Sequence, residues 1–248
     1  FTRMPWRNYP TPAIEDLDGD QKPELILTDS DDTIRILKGA GGGRFLPPKE
    51  LRVRCLSVPE GSGTQPEFVF LGDVDRGGRA ELVTRVEVHP KGEGDFDEAK
   101  RPHALYRFHH LREDLTPEDH PYHEFEAVGH ALGEGFSSHR GSALTDLDGD
   151  GRLDLVTAAL DFSMLQVVRV LATKKIGMGL EFQVYAQGDD GRFLKTPDAG
   201  LTEKLLLDLN DLKLGRLINF IADFDGDGAI DFSHLERGRE ILVHRGSK

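Results

Sequence analysis

Short apolar runs come in pairs along this chain, and an acidic, glycine-containing loop separates the members of each pair. The leading members are Ala13-Ile14, Phe68-Val-Phe-Leu71, Ala143-Leu144 and Ile218-Asn-Phe-Ile-Ala222. The trailing members are Leu25-Ile-Leu-Thr28, Leu82-Val-Thr84, Leu155-Val-Thr157 and Phe232-Ser-His234. Runs this short, rich in β-branched and aromatic residues, predict strands. Leu51-Arg-Val-Arg54 alternates strictly and Arg35-Ile-Leu-Lys38 mixes charged with apolar residues, as half-solvated strands do. No segment carries the pattern of a long amphipathic helix; Asp208-Leu-Asn-Asp-Leu-Lys-Leu214 is short and ambiguous. Each pair reads as a β-hairpin, so the expected fold class is all-β.

The separating loops are near-copies of one another. They run Asp16-Leu-Asp-Gly-Asp-Gln-Lys-Pro-Glu24, Asp73-Val-Asp-Arg-Gly-Gly-Arg-Ala-Glu81, Asp146-Leu-Asp-Gly-Asp-Gly-Arg-Leu-Asp154 and Asp223-Phe-Asp-Gly-Asp-Gly-Ala-Ile-Asp231. Counting from the first residue of each loop, carboxylates stand at positions 1, 3, 5 and 9. These are Asp16, Asp18, Asp20 and Glu24; Asp146, Asp148, Asp150 and Asp154; and Asp223, Asp225, Asp227 and Asp231. The second loop keeps Asp73, Asp75 and Glu81 but has Gly77 at position 5, so it has lost a ligand. Calcium takes six to eight oxygens in a flexible shell, and a short loop of this kind turns several of them inward. Position 7 (Lys22, Arg79, Arg152, Ala229) is expected to offer its backbone carbonyl, leaving its side chain free to vary. Three well-formed calcium sites and one degenerate site follow. An EF-hand is excluded, because it needs a bidentate Glu at position 12, where this chain has Leu27, Thr84, Thr157 and His234.

Successive loops begin 57, 73 and 77 residues apart, which suits a four-stranded unit with generous connections. Radial repetition of such units is the β-propeller. The loops resemble those of the FG-GAP/VCBS repeat family, whose blades carry Asp-x-Asp-Gly-Asp-Gly-x-x-Asp-Leu and which includes the calcium-binding blades of integrin α-subunits. A second mark, Gly41-Gly-Gly-Arg-Phe45 and Gly191-Arg-Phe193, resembles the family's turn before the outer strand, with a loose equivalent near Gly133-Glu-Gly-Phe136. One propeller domain over 1–248 is expected, with blades at about 13–60, 66–136, 140–215 and 216–248 plus 1–12. Phe1 reads as the Phe of such a turn and Glu240-Ile-Leu-Val-His-Arg-Gly246 as the strand before it. Either the N-terminal segment closes a four-bladed ring, or the four blades are part of a larger one. The family's rings usually have seven blades.

Charge sharpens the picture. The three intact loops hold 12 of the 44 Asp and Glu residues, and three calcium ions would move the net charge from −13 to −7. A pI of about 5.2 argues against nucleic-acid partners, which need a basic stripe. No apolar run approaches the length of a membrane span. The single cysteine, Cys55, forms no internal disulfide and reads as a small buried hydrophobe. Free cytosolic calcium is too scarce for loops of this grade, so the expected location is secreted, periplasmic or at the cell surface. The chain begins at Phe1, as a processed or excised chain does, and a signal peptide is unobserved rather than absent.

Other constellations are weaker. His103, His109, His110, His120, His123, His130 and His139 crowd one region, yet adjacent histidines on a strand point to opposite faces and no cysteine joins them. They read as scattered surface and edge-strand residues. Trp6 and Tyr9 read as packing beneath a closing blade, with a sugar-stacking platform the alternative. Segments 90–103 and 112–125 are expected to be exposed loops. No nucleophile elbow, His-Glu-x-x-His or phosphate-cradling loop is present, so no catalytic residue is assigned. The expected function is a calcium-stabilised protein-interaction or adhesion module, or a subunit of an extracytoplasmic assembly. The alternatives are a glycan-binding, lectin-like module and a calcium-dependent polysaccharide lyase.

Overall fold

The structure is a computed structural model that describes residues 12–28, 33–59, 64–88, 103–131, 135–136, 144–161, 175–208, 219–236 and 240–246. Those residues form four main antiparallel sheets in chain order. Sheet one runs Pro12–Glu15, Glu24–Thr28, Thr33–Leu37, Lys49–Arg52, with a small ribbon of Gly39–Gly41 and Arg44–Phe45 beside it. Sheet two is ordered His123–Val128, His103–His110, Glu81–Val88, Glu67–Gly72, and Gly135–Phe136 adds a parallel edge. In sheet three Asp154–Asp161, Lys175–Tyr185 and Ala199–Asp208 are continuous, while Leu144–Thr145 and His130–Ala131 share one edge end to end. Sheet four contains Asn219–Ala222, Asp231–Glu236 and Glu240–His244.

In every sheet the acidic loop joins two strands that pair antiparallel, and the position-9 acid is the first residue of the second of them. The closing strand expected from residues 1–12 falls on residues of which 1–11 lie outside the described set. Pro12 instead opens sheet one, paired with Leu27. Trp6, Tyr9 and His139 also lie outside the described residues, as do 89–102 and 209–218.

Sheet two explains how the sheets stack. Its strand Glu81–Val88 is buried on both faces over most of its length, whereas Glu24–Thr28 of sheet one alternates. Successive side chains of a strand face opposite sides, so continuous burial means a neighbour on each face. Leu82, Phe68 and Leu71 join Ile26, Ile34, Ile36 and Leu51 of sheet one. Val83, Phe70, Tyr106 and Phe125 join Leu155 and Tyr185 of sheet three and Phe193 of the connection between its last two strands. Sheet three in turn meets the fourth loop through Leu147, Val156, Phe182 and Ile230. Face-to-face packing in chain order is the arrangement expected of blades.

The boundary between sheets two and three is interlocked. The chain leaves His123–Val128, bends at Gly129 (φ +86°), pairs His130–Ala131 with Thr157 and Ala158, then returns at Gly135–Phe136. A Cβ at Gly129 would sit 2.6 Å from the Ala158 carbonyl oxygen, so only glycine makes this bend. The strand order thus places 130–131 in the third sheet, inside the segment that spacing alone assigns to the second blade.

Three further expectations change. Leu51-Arg-Val-Arg54 keeps its alternating burial, but the strand stops at Arg52 and Val53–Cys55 is a 3-10 turn. That turn buries Val53 and leaves Cys55 exposed, correcting its reading as a buried hydrophobe. The segment 112–125 is not a free loop. It folds back through the Leu111–Pro117 bridge, buries Leu115, and ends in the strand beginning at His123. Nor are the histidines merely scattered: His109 is fully buried, with Nδ1 2.9 Å from the Glu118 carbonyl oxygen.

Burial holds the His109 imidazole below its ordinary pKa. A depressed base contributes stability that is complete above its unfolded pKa, about 6.5, and is lost as pH falls through the folded value. His109→Gln, which keeps a polar group near Glu118, should show a smaller drop in melting temperature between pH 7 and pH 5 than the wild type. Equal drops, read by thermal denaturation, would remove this role.

Candidate functional site

The four loops share one backbone conformation. The position-1 carboxylate accepts from the position-6 N–H at 2.9–3.0 Å: Asp16 from Gln21, Asp73 from Gly78, Asp146 from Gly151, Asp223 from Gly228. The position-3 carboxylate accepts from the position-5 N–H at 2.7–3.2 Å in all four. Positions 4 and 6 lie in the left-handed region, which favours glycine. Gln21 and Arg76 hold that conformation without being glycine. Local carboxylate-to-backbone bonds therefore shape the loop even where its sequence has drifted.

Position 9 does something the spacing did not reveal. Glu24, Glu81, Asp154 and Asp231 are 0–4% exposed, the most deeply buried acids of their loops. One oxygen of each accepts the position-2 N–H, from Leu17, Val74, Leu147 and Phe224, at 2.7–3.0 Å. The other oxygen faces the end of the third strand, meeting the N–H of Gly39, Gln187 or Gly246 in sheets one, three and four. In sheet two that partner is a side chain, His110, whose Nδ1 lies 3.2 Å from Glu81 Oε1. Burial pushes the Glu81 carboxyl up to about 7 and Asp154 up to about 6, and also raises Glu24 and Asp73.

Each of the first three loops is bonded to the repeat that follows it. The position-2 carbonyl of loop one accepts from Ala80 N (2.9 Å), that of loop two from Gln187 Nε2 (2.9 Å), and that of loop three from Ile230 N (2.7 Å). The acidic loops accordingly lie side by side at one end of the sheets.

Each loop gathers part of its expected set. Donor atoms of Asp16, Asp18 and Glu24 lie within 4.8 Å of one another, as do those of Asp146, Asp148 and Asp154, and of Asp223, Asp225 and Asp227. All are hard oxygens, which is the donor chemistry calcium requires. Asp20 and Asp150 stand apart, paired with Lys22 and Arg152. Asp231 stands apart too, although its bonds to Phe224 and Gly246 match those of Glu24 and Asp154 in their own loops. Position-7 side chains are less free than expected: Lys22 and Arg152 neutralise their own position-5 acid, and Ala229 is wholly buried, while Arg79 is exposed. Lys38 bonds Asp18, and Arg245 lies 3.3 Å from Asp225, so cations from the third strands already reach loops one and four. In loop two the cluster is Asp75, Glu81 and His110, with Asp73 outside it. A nitrogen donor and a missing position-5 oxygen do not fit calcium. His110 escaped the sequence reading because only the strand register sets it opposite Glu81.

Comparison with known proteins adds a family. Residues 16–84, spanning the first two loops, match the family described as FG-GAP-like repeat. This segment is similar to an FG-GAP-like repeat. The FG-GAP-like match thus includes both an all-oxygen loop and the altered one. No curated protein matches the chain. Among solved structures, one described as the structural basis of specific recognition of non-reducing terminal N-acetylglucosamine by an Agrocybe aegerita lectin is similar at 16% identity. The alignment covers 96% of this chain and 77% of that one with a TM-score of 0.27, too low to carry an argument.

Two substitutions separate the roles of the loop residues. Asp154→Ala strands the buried Leu147 N–H and should cost about 1–3 kcal/mol by denaturant unfolding even in EDTA. Gln21→Gly relieves a left-handed non-glycine residue and should stabilise by about 1 kcal/mol, read the same way.

Proposed function

We propose that this chain is a calcium-rigidified repeat module that binds a protein partner outside the cytoplasm. The calcium part is supported by the three all-oxygen clusters in loops one, three and four. Held at about tenfold over Kd, each ion would add about 1.4 kcal/mol, a large share of a domain's margin. The interaction part rests on one observation. Beside the acidic loops the same end of the sheets exposes apolar side chains, at 42–56%: Phe45 and Leu46 next to loop one, Leu194 after the turn behind loop three, and Phe224 within loop four. An apolar and acidic face carried on bonded loops is chemistry suited to a protein surface. The FG-GAP-like repeat is consistent with an interaction module. Among the described residues no helix is long and apolar enough to cross a membrane.

Calcium should raise the melting temperature relative to EDTA. Asp148→Ala and Asp225→Ala should each shrink that rise, and Asp75→Ala should shrink it much less. Equal losses in all three would contradict the assignment. The calcium-dependent rise should also grow between pH 5 and pH 7. Asp154, with its folded pKa raised to about 6, favours the fold while protonated below its unfolded value, and that contribution is lost as pH rises through about 6. Calcium competes for the freed carboxylate. For the partner, affinity capture from the native extract with and without calcium is compared with a Phe224→Asp, Leu194→Asp variant. A calcium-dependent partner lost from the variant is expected; identical capture by both would sink the proposed face.

A further inference from the structure

Loop two differs from the others in the kind of donor it assembles. Glu81 pairs with His110 across the strands, and extending the other registers by one residue sets Lys38, Ala186 and Arg245 at the same place. Lysine and arginine there can only neutralise carboxylates. An imidazole can bind a metal. A ring nitrogen of His110, a Glu81 oxygen and an Asp75 oxygen lie within 4.8 Å of one another. Each part of the cluster is held. The His110 ring stacks on Tyr122 at 4.0 Å and 13°, and Glu81 Oε2 accepts from Val74 N at 2.7 Å. The His110 side chain is 39% exposed, giving an ion a way in, while that of Glu81 is 1% exposed.

Two buried polar atoms beside the cluster lack hydrogen-bond partners: Asp73 Oδ1, in the same loop, and Tyr122 Oη, on the ring stacked against His110. Buried polar groups are rarely left so unless an ion or water completes them. Gly77 has meanwhile removed a hard oxygen from a loop that would need six to eight for calcium. One imidazole and two carboxylates, with a position left for water, is a donor set that suits zinc.

We propose that the second loop is a site for a borderline-soft divalent cation of the zinc class, ligated by His110, Glu81 and Asp75, and that it does not take calcium. This goes beyond the calcium reading of the other loops, which the melting comparisons above test independently. Cobalt(II) is the probe, because its visible absorption reports nitrogen and oxygen ligands at low coordination number. The full-length chain, freed of metal and then kept in excess calcium, is titrated with cobalt(II). One equivalent should bind with such a spectrum, and zinc should displace it. His110→Gln and Asp75→Asn should each weaken binding at least about tenfold. A spectrum unchanged in His110→Gln, or abolished by calcium, overturns the proposal. Should His110→Gln fail to fold, nitrogen-15 histidine spectra of the wild type decide instead. Zinc added in calcium should shift one imidazole Nδ1 resonance, and no shift overturns the assignment.

Discussion

A buried carboxylate at the ninth position of each acidic loop is the constraint on which this architecture rests. It sits where the loop becomes a strand, out of water, with one oxygen on the loop's own second N–H and the other turned toward the third strand. A buried charge is tolerated only when its lone pairs are spoken for. The mouth of each hairpin is therefore tied to a strand beyond it. Loop, hairpin and third strand become one unit before any ion is considered, and the outward-facing acids at positions 1 and 3 inherit their placement from it.

From these units the larger order follows by packing. Strand Glu81–Val88 of sheet two has neighbours on both faces and is buried over most of its length, while Glu24–Thr28 of sheet one has the alternation of a strand covered on one side. Links between successive repeats reinforce this order at one end, where a carbonyl from each of the first three loops accepts a donor from the following sheet. Acids and exposed apolar side chains share that end because both belong to the hairpin ends.

Much of this was legible in the chain. The paired runs around each loop marked eight of the strands, and the identity of position 12 separated a hairpin loop from an EF-hand without coordinates. What stayed hidden depends on distance across strands. Position 9 read as one ligand among four because spacing carries no burial. His110 read as one of a scattered group because its partner, Glu81, is 29 residues away and meets it only through the register. Cys55 was misread since strict alternation continues through a 3-10 turn that faces it outward. The segment ending at His123 looked like a loop from its composition, yet Leu115 and the Leu111–Pro117 bridge fold it back onto the sheet.

The bonds between loops also have a direction. At position 8, Ala80 and Ile230 hand their N–H groups back to the preceding loop, but loop one has Pro23 there, which has no N–H to give. Loops that look like interchangeable copies are therefore not interchangeable parts. Moving the first hairpin to the second or the fourth place would break a link that its sequence is unable to make, so the repeats carry an address as well as a shape.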